Sequence, residues 1–166
     1  MNPDSSSRTR EPGRLAFIAL GSNLGDSRLV LPQAIKRLQD FSDQSLLVSS
    51  IWETAPVDCP PGSGMFLNAV VGLVPQPAER PETLLRKLQA LEKEFGRAPK
   101  KILNEPRPLD LDLIAFGRET LSTPELILPH PRAHLRQFVL GPLGEIAPGL
   151  ILPGQTQTVR QLLKAL

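Results

Sequence analysis

Asp110 and Asp112 stand two residues apart in Leu109-Asp110-Leu111-Asp112-Leu113, the stretch in which chemistry is easiest to read. Alternate side chains of a strand share a face, so the two carboxylates point together and the three leucines point the other way. Strand rise sets the pair about 7 Å apart. Carboxylates at that spacing can hold one or two Mg²⁺ ions, which take a few protein oxygens and are completed by substrate phosphates. An antiparallel strand with an acidic wet face has the same pattern, so alternation alone leaves both readings open.

The stretch leading into the pair weights the balance towards phosphate. Gly96 to Pro108 carries Arg97, Lys100, Lys101 and Arg107 against Glu105, a net +3 (four minus one). A long loop without structure of its own in a small domain is usually functional or disordered. A cationic loop entering a carboxylate pair suits a polyphosphate lid, with metal neutralising some oxygens and arginine others. A merely solvated basic loop is the plainer alternative. Neither a P-loop nor a Rossmann fingerprint is present. Gly21-Ser22-Asn23-Leu24-Gly25 follows a strand but could be an ordinary turn. His130, bracketed by Pro129 and Pro131, sits on a rigid turn suited to a ligand contact, although a lone histidine is more often structural. No Ser/His/Asp or Cys/His arrangement is supported.

The elements that must position these groups follow from periodicity. Leu15–Leu20 is a buried strand, and Leu31, Ala34, Ile35 and Leu38 predict a helix over 28–40, with Pro32 blurring its start. Leu46–Thr54 reads as a strand, Ala55–Gly64 as a loop and Phe66–Val74 as a strand. Pro81 opens a helix whose stripe is Leu84, Leu85, Leu88, Leu91 and Phe95, with Gly96 as terminator. Leu109–Phe116 is a strand, and Glu125–Leu128 a further short one. Helices are expected near Arg136–Ile146 and Val159–Leu166. The order β-α-β-β-α-β plus a C-terminal extension predicts an α+β fold, a ferredoxin-like antiparallel sheet with packed helices.

Composition sets the outer bounds. The 166 residues suit one domain over 15–166, preceded by a disordered tail over 1–14 that lacks the apolar centre of a secretory signal. A net charge of +2 gives no support to nucleic-acid binding. No apolar run approaches the roughly 20 residues of a membrane helix. Cys59 is the single cysteine, which excludes an internal disulfide and suits a cytoplasmic setting. The 18 prolines cluster between periodic segments, as loop punctuation would.

Several motifs occur in a telling order: Ala19-Leu20-Gly21-Ser22-Asn23-Leu24-Gly25, Ser49-Ser50-Ile51-Trp52-Glu53-Thr54-Ala55-Pro56, and Phe66-Leu67-Asn68-Ala69. Gly96-Arg97, Pro106-Arg107-Pro108-Leu109-Asp110-Leu111-Asp112-Leu113-Ile114, Leu128-Pro129-His130-Pro131-Arg132 and Pro142–Pro148 follow. From about Ala16 to Pro153 the chain resembles the 6-hydroxymethyl-7,8-dihydropterin pyrophosphokinases of folate synthesis. The resemblance implies pyrophosphoryl transfer from ATP to the pterin, with two Mg²⁺ ions on Asp110 and Asp112. It implies that Arg97 and Arg107 grip the phosphates, and that Gln89, Glu92, His130 and Arg136 lie at the ATP site. It implies a pterin held between Phe66 and Phe138, with Asn68 and the Thr54-Ala55-Pro56-Val57 backbone on its edges. From spacing alone, core packing is the better account of those two phenylalanines. There are three departures from the family pattern: Asn104 and Glu105 stand where Trp and Gly are frequent, Phe66 where tyrosine is, and Glu125 near a basic position. The next enzyme of the pathway is a candidate partner. Two rival readings are a metal-dependent phosphohydrolase using the same carboxylates and a non-catalytic ferredoxin-like module that binds a small ligand.

Overall fold

The computed structural model describes residues 14–23, 27–55, 64–96 and 108–166. The elements run β1 (Ala16–Ser22), α1 (Ser27–Leu38), β2 (Leu47–Val48), β3 (Trp52–Thr54), β4 (Phe66–Leu73), α2 (Pro81–Glu94) and β5 (Asp110–Phe116). β6 (Leu121–Ser122), β7 (Ile127–Leu128), α3 (Gln137–Ile146) and α4 (Val159–Ala165) complete the chain. The main sheet has the order β2-β4-β1-β5, antiparallel throughout, and β3 also pairs with β4. With β2 and β3 taken as one interrupted strand, this is the expected β-α-β-β-α-β ferredoxin-like arrangement, and α3 and α4 belong to the C-terminal extension.

Each face of the sheet is packed by a different pair of helices. On the first, Ile18, Leu20, Leu111 and Leu113 meet Leu31 and Leu38 of α1 and Leu84, Leu88 and Leu91 of α2. On the second, Phe17, Val70 and Ile114 meet Val139, Leu140 and Leu143 of α3 and Val159 and Leu162 of α4. Helices on both faces explain why Leu67 to Leu73 is buried at every position instead of alternating. α1 continues through Pro32, which lies mid-helix and faces solvent, while Leu31, Ala34 and Leu38 anchor the helix by burial. α2 starts at Pro81 with the Arg80 N–H donated to Thr83 Oγ1 at 3.0 Å, and Gly96 follows it at φ 89, the left-handed conformation that suits a helix terminator.

Two strand predictions are corrected by the hydrogen bonding. The strand expected over 46–54 is split, because Val48 faces Val71 whereas Trp52 faces Asn68, one residue more on this side than on β4. Ser49 fills the interruption: its hydroxyl accepts the Val70 N–H at 2.9 Å and its own N–H donates to the Val70 carbonyl at 3.0 Å. A bulge of this kind redirects the following side chains. The short strand expected over 125–128 is reduced to β7, which pairs with β6 in a separate two-stranded sheet.

Leu88 is fully buried at the centre of the α2 face. Leu88→Ala is expected to lower folding stability by about 2–5 kcal/mol. Urea denaturation checks this, and a loss below about 1 kcal/mol would show that the α2 face is not a tightly packed part of the core.

Candidate active site

Register across three adjacent strands, β4, β1 and β5, brings the site together. Gly21 of β1 faces Asn68 of β4 on one side and Asp110 of β5 on the other. One step along the same face, Ala19 lies between Val70 and Asp112. Val70 is core beneath α3, and the row with Asn68, Gly21 and Asp110 adjoins that core on the same face. Asp110 and Asp112 are both half-buried there, while Leu111 and Leu113 are buried on the opposite face. Gly21 and Ala19 leave the floor beside the carboxylates nearly bare. A methyl group on Gly21 would stand 3.4 Å from Asn68 Oδ1 and fill part of that space. Hard carboxylate oxygens on one face fit a Mg²⁺ ion that is completed by phosphate and water.

The outer edge of β5 is tied down on both sides of the second carboxylate. Glu92 of α2, itself buried, accepts the Leu111 N–H at 2.8 Å. The register of β1 with β5 shifts between Phe17 and Ile18, which leaves Ile114 as an extra residue, and its carbonyl accepts the His130 N–H at 2.8 Å. His130 follows Pro129, whose bond to Leu128 is cis.

The His130 Nδ1 accepts the Arg132 N–H at 3.2 Å, which places the proton of the neutral ring on Nε2. Burial holds the pKa of His130 below its ordinary value; Arg136 and Arg132 push it the same way, and Asp110 opposes them. The ring and Asp112 line a cleft of about 270 Å³ between β5 and the 123–131 segment, whose walls include Leu85, Leu111 and Ile127. Glu125 lies on the rim of the same cleft. Gln89 is exposed on α2, one turn from buried Glu92.

Asn68 is buried, and its Nδ2 donates to Thr54 Oγ1 at 2.7 Å. Thr54 faces Phe66 across the β3–β4 pair. Phe66 is half-buried and Phe138, on the first turn of α3, is 38% exposed. Neither ring belongs to the packed cores of the described residues, so core packing does not account for them. The Arg136 guanidinium lies 5.4 Å from the centre of the Phe138 ring, within cation–π range.

Asp110, Asp112, Asn68, Thr54 and Phe66 thus share one face of the sheet, with His130 and Arg136 near them. Arg97, Arg107, Pro56, Val57, Asn104, Glu105 and Cys59 lie outside the described residues. Sequence reasoning missed the group that joins β3 to α3. Glu145 accepts the Ser50 N–H at 2.8 Å, the Ser50 hydroxyl at 2.6 Å and the Trp52 indole N–H at 2.7 Å. Both halves of this contact lay inside quoted motifs, but no local pattern pairs residues more than 90 positions apart.

The whole fold has a counterpart among solved structures. A chain described as HPPK-DHPS in complex with substrates superposes with a TM-score of 0.72 over 91% of this chain and 43% of its own length. At 13% identity that likeness defines the fold alone. A sequence model of the 7,8-dihydro-6-hydroxymethylpterin-pyrophosphokinase family matches residues 17–148. The 2-amino-4-hydroxy-6-hydroxymethyldihydropteridine pyrophosphokinase of Bacillus subtilis is 42% identical over 80% of this chain and 77% of its own. The folate synthesis bifunctional protein of Arabidopsis thaliana is 36% identical over 78% of this chain, which spans only 26% of that longer protein. This chain belongs to the 7,8-dihydro-6-hydroxymethylpterin-pyrophosphokinase family.

With a lowered pKa, His130 is expected to titrate in NMR below the usual value of about 6.5. The sign follows from linkage: the folded state resists protonation, so stability present above the unfolded pKa is lost as pH falls towards the folded one. Arg136→Gln should raise the midpoint by removing a repelling cation. A midpoint at or above the usual value in the unaltered protein would contradict the buried, cation-flanked setting.

Proposed function

We propose that Asp110 and Asp112 hold two Mg²⁺ ions against the phosphates of ATP while Phe66 and Phe138 hold the pterin beside them. The reaction is that of the family: pyrophosphate passes from ATP to 6-hydroxymethyl-7,8-dihydropterin, giving AMP and the pterin diphosphate in folate synthesis. The substrate hydroxymethyl oxygen bonds to the β-phosphorus, the bond from that phosphorus to the α-phosphate oxygen breaks, and the hydroxyl proton leaves to solvent. The single observation that carries the site reading is the in-register row of Asn68, Gly21 and Asp110, which sets a hydrogen-bonding amide and a carboxylate on either side of a bare floor.

Bound magnesium supplies charge neutralisation of the polyphosphate and a fixed geometry for it. Two carboxylates on one strand face, Asp110 and Asp112, suit a metal completed by phosphate and water. Asp110 and Asp112 orient the polyphosphate from β5, and Glu92 keeps that strand in place through Leu111. His130, neutral and with its proton on Nε2, offers a donor in the cleft, where Leu85, Leu111 and Ile127 provide apolar contact for the adenine. Gln89 and Glu92 lie on the α2 side of that nucleotide site. Arg97 and Arg107 supply further cations to the phosphates, and Arg136 adds one beside Phe138. Phe66 and Phe138 stack on the flat pterin while Asn68, Thr54, Pro56 and Val57 meet its polar edges. No general base is assigned, because transfer of this kind depends on positioning and charge neutralisation.

No helix among the described residues is long and apolar enough to cross a membrane. A cytoplasmic site of action suits a small-molecule pathway enzyme with one cysteine. The bifunctional relative and the HPPK-DHPS chain carry this fold within longer chains, which supports the enzyme that consumes the pterin diphosphate as a partner.

Asp110→Asn and Asp112→Asn keep size and backbone while removing the charge that attracts a cation. Each is expected to lower turnover at least about a hundredfold, the equivalent of about 2.7 kcal/mol. Their melting temperatures should stay near that of the unaltered protein, because the leucine face is untouched. Turnover within a few-fold of normal in either variant would overturn the metal assignment.

A further inference from the structure

Phe138 is 38% exposed and lies outside the packed cores of the described residues. Its place depends on how α3 sits, and the same face of α3 carries Gly141 and Glu145, three and seven residues further on. Both meet β3. Gly141 lies directly beneath the Trp52 indole, where a methyl group would stand 2.5 Å from Trp52 Cη2 and 2.6 Å from Cζ3. No side chain fits that gap without moving the ring. Glu145, one turn on, takes the Trp52 indole N–H and both donors of Ser50. These bonds hold the Glu145 carboxyl below the usual carboxylate range, the Ser50 hydroxyl contributing most, so it is charged at neutral pH.

β3 is also the strand that borders Phe66. Thr54 faces Phe66 and Trp52 faces Asn68, and the bulge at Ser49 brings Trp52 onto the face that carries Asn68. One rigid indole therefore touches α3 at Gly141, hydrogen-bonds α3 at Glu145, and lies in register with the polar end of the slot. We propose that Trp52, Gly141 and Glu145 form a brace that sets the distance between Phe138 on α3 and Phe66 on β4, and so the width of the pterin slot. The three are positioning residues acting through Phe138. The proposal rests on the pterin reading given above and adds to it which contacts determine pterin affinity.

The brace is tested by calorimetric binding of 6-hydroxymethyl-7,8-dihydropterin in the presence of a non-hydrolysable ATP analogue, alongside binding of the analogue itself. Gly141→Ala drives the indole out, and Glu145→Ala removes its anchor at an exposed position. Both are expected to weaken pterin binding about tenfold, the equivalent of 1.4 kcal/mol, and to leave analogue binding within about twofold. Glu145→Gln keeps an oxygen for the indole N–H and should stay within about threefold of the unaltered protein. Trp52 is the only tryptophan, so a red shift of its emission reports directly that the ring has moved. Unchanged pterin affinity in both alanine variants, with the red shift present, would overturn the brace alone. Equal losses for pterin and analogue would overturn it too, as a general structural role predicts. Failure of the unaltered protein to bind pterin at all would overturn the substrate reading, and the brace with it.

Discussion

The alignment of β4, β1 and β5 is the constraint on which the site depends. A shift of one residue in either pairing would turn the carboxylates, the bare glycine floor or the asparagine to the opposite face, because side chains alternate along a strand. The leucines of β5 resist such a shift: Leu109, Leu111 and Leu113 are buried between the sheet and the helices α1 and α2. Full burial of one such side chain is worth about 1.5–3 kcal/mol, so sending three into the site would cost several times that. The hydrophobic face therefore fixes the direction in which Asp110 and Asp112 point.

The second face carries both core and site. α3 and α4 pack over Phe17, Val70 and Ile114, and the row of Gly21, Asn68 and Asp110 lies beside that core on the same face. β5 is an edge strand, and an edge invites mispairing unless its outward groups are occupied. Glu92 and the His130 backbone occupy two of them. The same two contacts connect α2 and the 123–131 segment to the strand that bears the carboxylates, so the walls of the cleft and its acidic floor are held as one unit.

Much of this was legible in the sequence because it is periodic. The β-α-β-β-α-β order, the leucine stripe of α2 and the shared direction of Asp110 and Asp112 all follow from local spacing. The break in the 46–54 strand was not, since it depends on a serine hydroxyl replacing a backbone acceptor opposite Val70. Glu92 was placed near the nucleotide by family likeness, and its bond to the Leu111 N–H adds a structural role that spacing could not give. Phe66 and Phe138 read as core from spacing because aromatic residues usually are; that they lie outside the two packed clusters is a tertiary feature. The fit of Trp52 against Gly141 is complementarity between distant positions, which a single sequence does not display.

The most direct test of the account is AMP release from ATP by the unaltered protein, with and without 6-hydroxymethyl-7,8-dihydropterin, in Mg²⁺ and in excess EDTA. AMP should appear only when the pterin and Mg²⁺ are both present, in amounts equal to the pterin diphosphate formed. AMP release at the same rate without pterin, or transfer that continues undiminished in EDTA, would contradict a metal-bearing carboxylate row set beside a pterin slot.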